Sequence, residues 1–242
     1  LSKNYLNNKD LLKEIHKSKT SYCSFLNPED QHFDIILPSL DKINRNTIAQ
    51  ARRNRAARLT KLAWEEALKT TAGVKQDEFT IDQKKLDNTD IVFRIMTFDH
   101  VPLAPGRKKN PKTVADHHEK VNFPPFQHYR LDDEGNPVCV GKSHWIGGLG
   151  NGYFSKSHGN ITNELAKMFI KLCDRYGTKG NWRGYSYNDE MRCQALLQLS
   201  QVGLQFDESK SANPFAYYTA TITNSFTRIL NLEKRNQNMR DD

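Results

Sequence analysis

The 242 residues hold 36 lysines and arginines against 28 aspartates and glutamates, a formal charge of +8, and their mean hydropathy is only -0.76. No apolar run approaches the roughly 20 residues of a bilayer crossing and the N-terminus lacks a signal-peptide core, so a membrane partner is excluded and a cytoplasmic location expected. The cysteines Cys23, Cys139, Cys173 and Cys193 are scattered without a C-x-x-C pair, which excludes a disulfide framework and a cysteine-rich zinc site. The length allows one large domain or two modest ones, and a pI near 9.2 suits a nucleic-acid partner.

At the N-terminus, Asn7 or Asn8 offers an N-cap and Leu11, Leu12 and Ile15 fall at helical spacing, predicting a short amphipathic packing helix. A longer helix is expected over 46–72, capped by Asn46 or Thr47 and closed by Gly73. Its apolar face would be Ile48, Leu59, Leu62, Ala63 and Ala67, with Arg52 snorkelling out of it. Arg52, Arg53, Arg55, Arg58 and Lys61 crowd ten residues of this helix. Such cations repel one another unless an anion is near, which makes them candidates for a phosphate or acidic-protein contact.

DIVFRIMTF from Asp90 to Phe98 is β-rich, and FQHYRL and PVCVG flank the turn DDEGN as a hairpin would. The intervening PLAPGRKKNPKTVADHHEK is a basic, proline-broken loop. HWIGGLGNGYF matches neither a dinucleotide fingerprint nor a Walker loop and is expected to be a turn-rich connector. His117, His118, His128, Cys139, His144 and His158 follow no zinc spacing. No catalytic triad, paired-carboxylate set or P-loop can be assigned, so no catalytic residue, metal ligand or cofactor is expected.

From Asn160 onward the helical pattern sharpens. Ile161, Leu165, Phe169, Leu172 or Cys173 and Tyr176 recur every three to four residues, and Gly177 stands where a left-handed C-cap would. Ser186 with Asp189 approximates a capping box. Beyond it Met191, Ala195, Leu196, Leu199, Val202 and Phe206 mark an apolar stripe, while Glu190, Gln194, Gln198 and Gln201 mark a polar, nearly uncharged one. Glutamines at that spacing are either solvent-facing helix formers or hydrogen-bonding groups for a partner's helix. After the turn FDESKSANPF, Asn213 then Pro214 is a strong helix start. Phe215, Ile222, Phe226 and Ile229 or Leu230 are expected inward, with Tyr217 and Tyr218 on the accessible side. Tyrosines followed by polar residues and a basic end suit a single DNA strand, whose bases stack on rings and whose phosphates meet cations.

AKMFIKLCDRYG and DEMRCQALLQLSQVGLQFDESKSANPFAYYTATITNSFTRIL resemble the second conserved region of bacterial sigma factors. With NYLNNKDLLKEI at the start, the chain resembles the late-transcription sigma factors of T-even-like tailed phages. The resemblance implies a mainly α fold. Its second-region helical bundle would span 160–242, an N-terminal helix within 1–30 would pack on it, and a mixed α/β insertion of unknown fold would fill 31–159. It also implies that Glu190, Gln194, Gln198 and Gln201 dock on the clamp helices of the largest subunit of host core RNA polymerase. Tyr217, with Tyr218 beside it, would stack the non-template strand of an A/T-rich promoter element. Asn224 and Thr227 would face bases, and Arg228, Lys234 and Arg235 would follow phosphates.

Ala220 and Thr221 replace the adjacent tryptophans with which primary sigma factors wedge the duplex open, which points to help from polymerase or a co-activator. The family's hydrophobic tail, which engages the sliding clamp, does not occur before Asp242. In the insertion, Arg52 to Lys61 would touch polymerase or upstream DNA. The expected function is that of a late sigma factor in the host cell cytoplasm; the alternatives are an RNA-binding regulatory protein using the arginine helix and a metal-dependent nuclease built on the histidines.

Overall fold

The computed structural model describes residues 6–106 and 109–241, and the chain divides into two compact units. One gathers the N-terminal stretch to Tyr22, Asn122–Pro124 and the chain from His158 onward; the other comprises Cys23–Val121 and Pro125–Ser157.

The first unit is helical. Helix α1 (Asn8–Thr20) starts at Asn7, whose side-chain oxygen accepts the Asp10 N–H at 2.9 Å, supplying one partner that a helix N-terminus otherwise lacks. Leu11 and Ile15 bury its apolar edge completely. Helix α3 (Asn163–Gly177) is capped by Thr162 and buries Leu165, Phe169, Leu172 and Cys173. Gly177 does not take the expected left-handed cap. It is the last helical residue, and it is small because a Cβ there would meet the Arg192 side chain at 2.8 Å.

Helix α4 (Asn188–Val202) buries Met191, Ala195 and Leu199. The anticipated Ser186–Asp189 capping box does not form: Tyr187 occupies the cap position without a side-chain bond, and Asn188 instead donates to the carbonyls of Gly177 and Trp182, both at 3.0 Å. Helix α5 (Pro214–Asp241) starts at the Asn213–Pro214 step, with Asn213 accepting the Ala216 N–H at 3.0 Å and Asn8 accepting that of Phe215 at 3.0 Å. Its buried stripe is Pro214, Tyr218, Ile222, Phe226 and Ile229. Phe215, expected inside, is 44% exposed, one residue out of phase with that stripe.

The second unit overturns the expectation of a mainly α chain. It is built on a five-stranded mixed sheet ordered β1-β5-β4-β3-β2, formed by β1 (Ser24–Phe25), β2 (Ile35–Leu37), β3 (Phe93–Met96), β4 (Phe126–Leu131) and β5 (Pro137–Lys142). Strands β2 and β3 pair in parallel with Ile35 opposite Phe93, while the other pairs are antiparallel. A parallel pair needs a long crossover, and helix α2 (Arg45–Thr70) lies in that connection. Leu37, Ile91, Phe93, Ile95 and Leu131 form the core with Ala51 of α2, and Ile48 packs partly against it. The β4–β5 hairpin closes on DDEGN, where Gly135 has φ +86 and Asp132 accepts two turn N–H groups. HWIGGLGNGYF, expected as a connector, carries a small hairpin of β6 (Trp145–Ile146) and β7 (Tyr153–Phe154).

The buried side of α2 also differs from expectation. Ala51, Ala56 and Thr60 face inward, whereas Leu62 is 50% exposed. The helix is capped by Asn44, whose side chain accepts the N–H groups of Asn46 and Thr47, two or three residues earlier than the cap predicted at Asn46 or Thr47. Among the described residues no helix is long and apolar enough to cross a membrane.

Candidate functional site

Two polar stripes in the helical unit face one another across a groove of about 1010 Å³. Glu190, Gln194, Gln198 and Val202 recur every four residues along α4, and Gln205 extends the row into the turn beyond it. From that turn α5 runs back along α4, placing Tyr217, Thr221, Asn224, Arg228, Asn231 and Arg235 on the opposite wall. Their spacing of three or four residues keeps them on one helix face. Thr227 lines the groove as well, while Gln201 and Lys234 are exposed and do not line it. Residues expected to serve two different partners, glutamines for protein and α5 for DNA, are therefore brought to one concave surface. Sequence reasoning missed Gln205 and Asn231; Asn231 was recoverable from its position three residues beyond Arg228 and four before Arg235.

The two adjacent tyrosines do different work. Tyr218 has no exposed surface. Its hydroxyl donates to the Gly203 carbonyl at 2.8 Å and its ring meets Phe169 edge-on at 5.0 Å, so it is core and not a base platform. Burial pushes its hydroxyl pKa far up. Its place was legible in the phase of Ile222 and Phe226, each four residues beyond the last. Tyr217 is half-buried and lines the groove. Its hydroxyl donates to the Val202 carbonyl at 3.1 Å, and its ring lies 5.6 Å from that of Phe206. A tethered ring of this kind presents an aromatic surface at little entropic cost on binding.

The chain matches no family model, no curated protein and no solved structure. What the groove can hold follows from its own chemistry. Its charged groups are Glu190, Arg228 and Arg235, and the rest of the lining is mostly amide, hydroxyl and one aromatic ring. Among the described residues neither arginine forms an ion pair with another side chain, so both guanidiniums keep their donors for an anion. Thr221 spends its hydroxyl on the Tyr217 carbonyl at 3.1 Å, leaving Asn224, Asn231, the glutamines and the hydroxyls of Ser225 and Thr227 as groups able both to donate and to accept.

The arginine-rich face of α2, in the sheet unit, has its counter-ion within the same unit. Arg58 donates to Asp34 at 2.6 Å and Arg55 lies 3.6 Å from the same carboxylate, whose side chain is fully buried. Asp34 also accepts the Val92 N–H at 2.9 Å. Arg52 bonds Asn88, Arg53 bonds Gln50 at 2.7 Å, and Lys61 pairs with Glu65 at 3.3 Å. Arg55 and Arg58 thus have a counter-ion in Asp34 within the same unit, and the other three cations contact Asn88, Gln50 and Glu65. His32, near both guanidiniums, has its pKa lowered by burial and by their charge.

The histidines of the sheet unit serve as hydrogen-bonding posts. His128 is fully buried. Its Nδ1 donates to the Asp30 carbonyl at 2.6 Å and its Nε2 accepts from Arg94 at 3.0 Å, which requires the neutral ring. The Arg94 guanidinium is held between the rings of Phe33 and Phe126 at 3.9 and 3.7 Å. His100 contacts the Ser143 carbonyl through Nε2 at 3.0 Å, and burial lowers its pKa to about 4. Among the described residues no three histidine, cysteine, aspartate or glutamate side chains converge as metal ligands.

Proposed function

We propose that the chain is a phage-encoded sigma factor that binds host core RNA polymerase and directs it to late promoters. It recognises an A/T-rich upstream element and the non-template strand. The observation that carries this reading is the continuous face of α5, which offers a tethered ring at Tyr217, an amide at Asn224 and unpaired cations at Arg228 and Arg235 along one open groove. A ring for stacking and cations for phosphates are the two elements a single-strand site needs. The four-residue rows of α4 and α5, joined by the turn at Asp207 to Asn213, support the resemblance to the sigma second region.

The role is binding and positioning, not bond chemistry. Polymerase is met by the open side of α4, where Glu190 and Gln201 are exposed. With Ala220 and Thr221 in place of a tryptophan wedge, strand opening relies on polymerase or a co-activator. In vitro transcription with core polymerase on late-promoter templates tests the reading. Promoter-directed transcripts should appear only with the protein present and should fall at least tenfold after Tyr217→Ala with Asn224→Ala. Unchanged promoter use in that variant would overturn the DNA-reading role.

A further inference from the structure

We propose that Gln194 and Gln198 are base-reading residues, and that the α4–α5 groove is a two-walled site in which amides of both helices contact the base edges of one DNA strand. This rests on the promoter-module reading but assigns α4 a task that reading does not. The two glutamines stand four residues apart on the wall facing Asn224 and Arg228, so any chain lying in the groove meets both rows.

The lining favours a nucleic acid over a protein helix. A helix seats in a groove through apolar anchors, yet here Val202, Ile229 and Leu232 are the only aliphatic liners, and amides and hydroxyls supply most of the wall. A side-chain amide both donates and accepts, and it fits the paired donor and acceptor of an adenine edge. Being uncharged, it does not repel the phosphates that Arg228 and Arg235 attract. The charged liners sum to one net positive charge, Arg228 and Arg235 against Glu190, the sign a polyanion requires. Tyr217, near the turn that closes one end, supplies the ring on which a base stacks.

The test uses the full chain and a fluorescein-labelled A/T-rich single strand of about ten nucleotides, within the span of known single-strand sites. Anisotropy gives its affinity, and retention on immobilised core polymerase is measured in parallel. Gln194→Ala with Gln198→Ala should weaken strand binding about tenfold without altering its salt slope, and Asn181→Ala, in the exposed loop before α4, should leave it within about twofold. Gln194→Glu, which adds a carboxylate to the wall, should weaken binding most at low salt. Circular dichroism of each variant checks that the fold is intact.

Strand affinity unchanged in the double alanine variant overturns the inference. If polymerase retention falls at the same time, the groove holds a protein helix instead. A wild-type chain that does not bind the strand also overturns it. Loss of strand binding in the variant, from a wild-type chain that core polymerase does not retain, upholds the groove assignment while removing the sigma-factor reading.

Discussion

Helices α2 and α5 are the two longest among the described residues, 26 and 28 residues, and both carry cations, yet they use them in opposite ways. On α2 the charge is dense, but Arg55 and Arg58 close on the buried carboxylate of Asp34, and the neighbouring cations are tied to Asn88, Gln50 and Glu65. On α5 the charge is sparse, but Arg228 and Arg235 line an open groove with no acidic side chain bonded to them. Cation density along a sequence therefore measures what must be neutralised. Only the fold decides whether the chain or a ligand does the neutralising.

The contrast can be broken most forcefully at Asp34. Asp34→Ala should cost about 3–5 kcal/mol, because two half-buried guanidiniums lose their shared carboxylate, and the loss should appear as reduced hydrogen-exchange protection of β2 and β3. Acid should also weaken the sheet unit. The His100 pKa is about 4 in the folded chain against an ordinary 6.5, so the unfolded chain binds the extra proton first as pH falls. Stability is intact above pH 6.5 and declines by about 3 kcal/mol as pH drops through 4. A urea series across that range should show the slope, and His100→Asn should flatten it.

Smaller effects sharpen the other side of the comparison. Tyr217→Ala should lower single-strand affinity about tenfold, read by anisotropy, with little loss of stability. Removing Arg228 and Arg235 should reduce the salt slope of strand binding by roughly 0.7 each, whereas Arg55→Ala with Arg58→Ala should leave that slope alone. The smallest change is expected for Tyr218→Phe. It loses one buried hydrogen bond, worth about 0.5–1.5 kcal/mol by thermal denaturation, and leaves strand affinity unchanged.

What was legible in the sequence was local. The Asn213–Pro214 helix start, the Thr162-led helix and the DDEGN hairpin rest on caps, periods and turn chemistry within a few residues, and the structure places them where those signals lie. The β2–β3 parallel pairing was not legible, because Ile35 and Phe93 are separated by a long crossover and β2, three residues long, is too short to show an alternation of its own. A shorter separation, 24 residues between Asp34 and Arg58, was still enough to hide that ion pair. At the groove, each helix was legible in the sequence by itself, but the facing of the two polar rows depends on how the turn folds α5 back on α4. The accessible side expected for Tyr218 follows from counting Phe215 with Ile222 and Phe226; the stripe through Ile222 and Phe226 alone puts Tyr218 inside and Phe215 out.

Helix α1 contributes no side chain to the groove, yet it holds the joint about which the groove's walls are set. Lys19, 1% exposed, reaches the Phe206 carbonyl at 2.7 Å and Glu208 at 2.6 Å, while Asn8 holds the first turn of α5. The spacing of the two groove walls is thus tied to α1, a helix far from both in the sequence. Sequence change in α1 can alter the width of the groove without touching any residue that lines it.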